Sequence, residues 1–330
     1  MRPFRSVPLV VVAILAAACS GAPASPSAAS PTTAASPSVA ASASAAASPS
    51  ESASAGASAS PSGLTADCQA ANLKTVAAGK LTIGTDNPAY PPYYQPPSSG
   101  NPPKPWELGD PTNGQGFESA FAYALAQKLG FSKDQVTWIV VPFDNSYAPG
   151  PKKFDIDVNQ VSYTVERAKQ VDMSDGYYTL SQSVVALKAN PIVNAKSVAD
   201  LKQYRFGAQV GTTSLETINN VIAPSTAAKV YNTNDAAIAA LKARQIDGLV
   251  VDLPTAFYVT AAQVQNSVIV GQFEAPTGAD AEHFSAVLAK GSSLTSCVNQ
   301  AIALMKSDGT LDQVTKEWLS DKANAPVFAP

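Results

Sequence analysis

The stretch 153-KFDIDVNQVSYTVERAKQVDMSDGYY-178 places a strand, a hydroxyl-rich turn and an arginine in succession. Phe154, Ile156, Val158 and Val161 have the intermittent apolar spacing of a strand. Asn159, Gln160, Ser162 and Thr164 bring side-chain donors to the place where that strand runs out. Arg167 follows with a planar guanidinium, charged at any physiological pH and able to hold a carboxylate through two N–H groups at once. A lysine there would be a poorer substitute. The stretch therefore predicts a strand that ends in an anion site.

Phe154-Asp155, then Gln160-Val161-Ser162-Tyr163-Thr164, Glu166-Arg167 and Met173-Ser174-Asp175-Gly176-Tyr177-Tyr178 resemble, in that order, the signature of the family 3 bacterial extracellular solute-binding proteins. Those are the polar amino-acid receptors of ABC importers, and the resemblance runs from about Leu64 to the C-terminus. It implies an α/β fold of two doubly wound lobes joined by two hinge crossovers, the venus-flytrap arrangement of type II periplasmic binding proteins. Residues 64–185 with 286–330 would form one lobe and residues 186–285 the other. The implied ligand is an amino acid held between the lobes and delivered to an ABC permease. In this assignment Arg167, Ser162 and the Gly211-Thr212-Thr213 amides hold its α-carboxylate, with Gln160 among the donors at the strand end. Asp252 matches the amine-binding aspartate, Tyr90 the aromatic that covers the ligand, and Asp86 a position that meets a polar or cationic side chain. The Asn159–Ser162 run is similar to that of some cystine and neutral polar amino-acid receptors, whereas Asp86 suits a basic side chain, so the ligand stays open. Some relatives on this fold are exported dehydratases, and a receptor lipoprotein that signals is a further alternative. The expected protein is a monomer and not an enzyme.

Outward from the central stretch, the N-terminus carries Arg2 and Arg5, then an apolar run from Val7 to Ala18, the layout of a secretory signal peptide over residues 1–18. Small residues precede Cys19, as at a bacterial lipoprotein cleavage site. Cys19 would become the lipidated residue that holds the protein on the outer face of a membrane; ordinary signal-peptidase cleavage nearby is the alternative. Ser20 to Gly63 is almost wholly Ala, Ser, Pro, Gly and Thr, with Glu51 its only charge. It predicts a disordered leash whose root-mean-square reach is about 35–40 Å.

A net charge of −3 and the lack of a basic run argue against a nucleic-acid partner. About 265 residues remain beyond the leash, enough for two modest cores. With one histidine, His283, and no Cys-x-x-Cys, nothing reads as a metal site, and no cofactor is expected. The chain has three cysteines. If Cys19 carries lipid, Cys68 and Cys297 are left to pair in an oxidising compartment or to remain free thiols.

The folded part shows a repeated strand–helix rhythm. Leu81–Thr85 reads as a strand running into a proline-fixed loop, and Gln95 to Gly114 as an inserted loop near a cleft mouth. Phe117, Phe121, Leu125 and Leu129 have helical spacing closed by Gly130, with Glu118 a solvated first-turn acid. Val136–Phe143 reads as a strand. After the continuous run Ser183–Lys188, Tyr204–Gln209 predicts a strand leading to a helix whose capping box is Thr213 with Glu216. Asn234–Arg244 predicts a helix, Ile246–Asp252 a buried strand ending in an acid, and Ser267–Gly271 a last strand. Asp252 reads either as a ligand anchor or as the cap of the next helix. His283–Lys290 returns the chain, and Leu294–Lys306 and Leu311–Leu319 read as closing helices.

Overall fold

The computed structural model describes residues 63–274, 278, 281–319 and 325–330. The expected signal peptide over 1–18, Cys19 and the expected leash up to residue 62 lie outside the described residues.

The chain first forms β1 (Leu81–Thr85), α1 (Phe117–Lys128), β2 (Val136–Val140), α2 (Phe143–Tyr147), β3 (Ile156–Asp157), α3 (Val165–Gln170) and β4 (Asp172–Met173). It crosses through β5 (Tyr178–Thr179). It then builds β6 (Gln182–Leu187), α4 (Val198–Leu201), β7 (Phe206–Gln209), α5 (Thr213–Glu216), β8 (Lys229–Tyr231), α6 (Asn234–Lys242), β9 (Gly248–Asp252), α7 (Leu253–Tyr258) and β10 (Ser267–Gln272). It returns through β11 (His283–Phe284) to β12 (Val287–Leu288), α8 (Thr295–Ser307) and α9 (Thr310–Trp318). The first sheet has the order β2-β1-β3-β12-β4 and the second β10-β6-β9-β7-β8; in the first, β2, β1 and β3 run parallel while β12 is antiparallel to both its neighbours, and in the second, β9, β7 and β8 run parallel while β6 is antiparallel to both of its own. Between them β5 and β11 pair antiparallel, so the two crossovers are hydrogen-bonded to each other.

Packing follows from the periodicity. Every residue of β1 is buried, as a parallel strand covered on both faces requires. Phe117, Phe121 and Leu125 project from one face of α1 into a core shared with Val298, Ile302 and Met305 of α8. A disulfide joins Cys68 to Cys297 of α8 across 229 residues, with the Cα atoms 5.1 Å apart. In the second lobe, alternate residues of β6 and β9 serve opposite faces. Val184, Ala186 and Val250 join one core, and Val185, Leu249 and Val251 another.

Two expected boundaries are corrected. The limit at 185 falls inside β6, whose pairing with β9 starts at Gln182, so the change of sheet lies between β5 and β6. The C-terminal residues do not all stay with the first lobe. Val327 bridges to Gln272, and the buried Phe328 packs on Phe273 with ring centroids 5.2 Å apart. That contact uses the bare backbone of Gly271, where a Cβ would sit 2.7 Å from the Phe328 ring. The expected strand from Val136 ends at Val140, because α2 is capped at Pro142 and Phe143 already belongs to it. The three-residue β8 had no sequence signal that was read.

Candidate functional site

The strands of both lobes end toward one cavity of about 350 Å³, small within the range of sites for small molecules. From the first lobe Asp86, Tyr90, Gln160, Ser162 and Arg167 line it; from the second, Thr212, Thr213 and Asp252. Eight of the nine expected ligand residues thus share one wall system. Gly211 does not line it.

Arg167 is placed by the start of α3, where the Thr164 hydroxyl caps the helix and accepts the Arg167 N–H at 3.1 Å. Its side chain is buried, and Nη1 donates to the Ser162 carbonyl at 2.5 Å while Nη2 donates to the Gly211 carbonyl at 2.7 Å. The guanidinium also sits over the rings of Tyr147 and Phe143, 4.5 and 5.5 Å from their centroids. Burial pulls its pKa below the usual arginine value, opposed by Tyr147, Glu216 and Glu282. Gly211 therefore meets Arg167 through its carbonyl, while the expected role was for its amide N–H. Its φ of 70° and its distance to the Tyr147 hydroxyl, 2.6 Å from where a Cβ would stand, call for glycine. The turn at Gly211 starts α5 one residue early. Thr212, in place of the expected Thr213, accepts the Leu215 N–H at 3.1 Å as N-cap.

Thr213 is freed for the cavity. Its hydroxyl lies 3.4 Å from Ser162 Oγ and accepts from Gln182 Nε2 at 3.2 Å. The Ser162 hydroxyl and Gln182 Nε2 both donate to Oε1 of Glu282, at 2.8 and 3.0 Å. Ser162 is held there because residues 161–163 pair with the returning crossover through Tyr163 N–H to His283 O and Ser285 N–H to Val161 O, each 2.9 Å.

Asp252 is the cap of the next helix and also stands on the cavity wall. As the cap of α7 it accepts the Thr255 N–H on Oδ1 at 2.8 Å and the Thr255 hydroxyl on Oδ2 at 2.7 Å. Tyr93, from the opposite lobe, donates its hydroxyl to Oδ1 at 2.5 Å. Burial raises the Asp252 carboxyl above the usual aspartate range, against these donors. Burial also raises Asp86, whose Oδ1 accepts the Asn87 N–H at 2.7 Å. The Tyr90 hydroxyl donates to Asp235 of α6 at 2.5 Å, which spans the lobes at the cavity edge.

Gln160 takes φ 49°, a left-handed backbone rarely adopted outside glycine, and Glu118 holds it there. Glu118 is fully buried rather than solvated. It accepts the Gln160 N–H at 2.8 Å, the Gln160 side-chain amide and the Tyr177 hydroxyl at 2.5 Å, and burial still pushes its carboxyl up to about 7. The Gln160 side chain is thus committed to Glu118. His283 stacks on Tyr163 with centroids 5.5 Å apart and does not line the cavity. Among the described residues no group of three or more His, Cys, Asp or Glu side chains is arranged to hold a metal.

Tyr93, Gln182, Asp235 and Glu282 were not read from the sequence as site residues. Gln182 and Glu282 flank the crossovers, where a hinge signal was visible. Tyr93 and Asp235 carry no local signal, since each acts on the lobe opposite to its own.

Residues 81–321 match the profile of the bacterial extracellular solute-binding proteins, family 3. The chain belongs to this family. Its similarity to the arginine-binding extracellular protein ArtP of Bacillus subtilis (strain 168) is 28% identity, over 66% of this chain and 82% of that one. With the L-cystine-binding protein TcyJ of Escherichia coli (strain K12) it is 27%, over 74% and 84%. A solved structure described as an ancestral arginine-binding protein bound to glutamine shares 31% identity and superposes with a TM-score of 0.58, covering 73% of this chain and 97% of that one. The two-lobed α/β architecture with paired crossovers is thus the type II arrangement of the family 3 solute-binding proteins.

Proposed function

We propose that this family 3 protein binds an amino acid between its lobes as the extracytoplasmic binding component of an ABC importer. One observation carries the reading. A buried guanidinium, Arg167 in the first lobe, and a partly buried carboxylate, Asp252 in the second, face a single small cavity. A zwitterion engaging both interacts more strongly with the closed protein than with the open one, so its binding shifts the hinge equilibrium toward closure. Arg167, Ser162 and the Thr212–Thr213 turn take the α-carboxylate, Asp252 takes the α-ammonium, and Tyr90 covers the side chain near Asp86. Relatives named for binding arginine and cystine support the ligand class. The closed protein, a monomer carried on a lipid at Cys19 and the residue 20–63 leash, delivers the ligand to the permease.

The test is a thermal-shift screen of the mature protein, stripped of co-purified ligand, against the twenty amino acids, cystine and ornithine, followed by calorimetry. A ligand at 100 times its Kd adds about 2.7 kcal/mol. Arg167→Ala and Asp252→Ala each weaken binding by about 2–5 kcal/mol with the fold intact. Normal binding by either variant would show that the anchors are wrongly placed, and silence across the panel would overturn the amino-acid reading.

A further inference from the structure

We infer that Tyr93 is a positioning residue of the ammonium subsite: its hydroxyl, carried by the first lobe, sets the Asp252 carboxylate of the second, so the subsite is complete only when the lobes meet. The inference rests on the amino-acid reading above. Tyr93 does not line the cavity and is 1% exposed, so it acts through Asp252 rather than on the ligand. Its backbone is pinned to the first lobe, where its carbonyl accepts the Glu118 N–H at 3.0 Å and a Cβ on Gly116 would stand 2.4 Å from that oxygen. Its ring packs edge-on against Phe284 of the returning crossover, with centroids 6.0 Å apart.

The donors on Asp252 divide by lobe. Both Thr255 bonds come from α7 and move with Asp252 when the hinge opens. The Tyr93 bond to Oδ1 comes from the other lobe. Oδ1 then carries two donors and Oδ2 one, which leaves Oδ2 with room for an ammonium.

The ionisable groups facing Asp252 are Tyr93 and Tyr178 from the first lobe and its crossover, and Glu282 from the return. Burial and the Glu282 charge raise the Asp252 carboxyl, and the Tyr93 hydroxyl is the largest influence lowering it. Ammonium binding needs the ionised carboxylate, so affinity falls as pH drops through the Asp252 pKa. Without the Tyr93 hydroxyl that loss comes at higher pH.

Tyr93→Phe keeps the ring and removes one oxygen. The mature protein, this variant and Asp252→Asn are titrated with L-arginine, L-glutamine and L-cystine by calorimetry from pH 4 to 8, with dissociation followed by stopped flow. For each probe that binds the parent protein, Tyr93→Phe is expected to raise Kd roughly tenfold through faster dissociation, and to move the acid limb of the affinity profile upward in pH. A lowered thermal midpoint with unchanged Kd and unchanged pH profile means a packing role only and overturns the inference. If Tyr93→Phe behaves like the parent while Asp252→Asn loses binding, the inference fails and the amino-acid reading stands. If Asp252→Asn binds normally, or no amino acid of the thermal-shift panel binds the parent protein, the reading fails and the positioning role with it.

Discussion

Besides Arg167 and Asp252, to which the proposed function assigns a zwitterion, the charged side chains on the cavity wall are Asp86, Asp144 and Asp235, and none forms an ion pair among the described residues. Asp144 and Asp235 are exposed at the rim, while Asp86 is partly buried and its carboxyl is raised by that burial. A ligand side chain ending in a carboxylate meets like charge from these three aspartates. One ending in an amide or a cation finds acceptors. We predict that L-glutamate binds at least about tenfold more weakly than L-glutamine, its near isostere. Competition calorimetry measures the ratio, and equal affinities would place the ligand side chain away from these aspartates. The resemblance pointed to Asp86; the two rim aspartates become visible only when α2 and α6 are brought to the same opening.

At the scale of elements, the ends of β7 and β9 opposite the cavity are held by one carboxylate. Asp247 accepts the Arg205 N–H at 3.0 Å, Nε and Nη2 of Arg205 at 2.9 Å each, and Nδ2 of Asn190 at 2.9 Å. The bonds from Arg205, chiefly, hold its carboxyl down at about 2. A depressed acid contributes stability that is fully present above the ordinary aspartate pKa of about 3.9 and is lost as pH falls toward the folded value. We expect Asp247→Asn to cost about 1–2 kcal/mol at pH 7, less than the full linkage value because Arg205 is partly exposed. The difference from the parent protein should shrink between pH 4 and pH 2 in urea unfolding. A gap that stays constant over that interval would show that the bonds to ionised Asp247 are not its source. The partners of Asp247, Arg205 and Asn190, come from two other segments of the chain.

For the whole molecule, the Cys68–Cys297 disulfide ties the segment before β1 to α8, closing a loop that spans both crossovers and every strand of the second sheet. Cross-linking so long a loop chiefly restricts the unfolded chain, which on loop-closure entropy is worth about 2–5 kcal/mol. The Cys68→Ala/Cys297→Ala protein should therefore unfold at markedly lower denaturant, while its ligand affinity stays within about twofold, since neither cysteine lines the cavity. A large loss of affinity with unchanged stability would assign the bridge to the hinge rather than to the unfolded state.

The order of strands and helices was legible because periodicity and capping are local: Phe117 to Leu129 with Gly130, Thr233 capping α6 and Asp252 capping α7 need only their neighbours in sequence. The place of Arg167 and Ser162 on the cavity wall was legible for a related reason, since both belong to one short motif. Burial and partnership were not. Glu118 looks like a surface acid beside its own helix and is a buried acceptor because residues 160 and 177 arrive from other elements. The Gly211 carbonyl accepts from Arg167, a bond invisible in the local sequence because Arg167 reaches it across 44 residues. Tyr93 meets Asp252 across 159 residues and the cleft. Such pairings depend on how two separately packed lobes are set against each other by paired crossovers, and no window of sequence contains both partners.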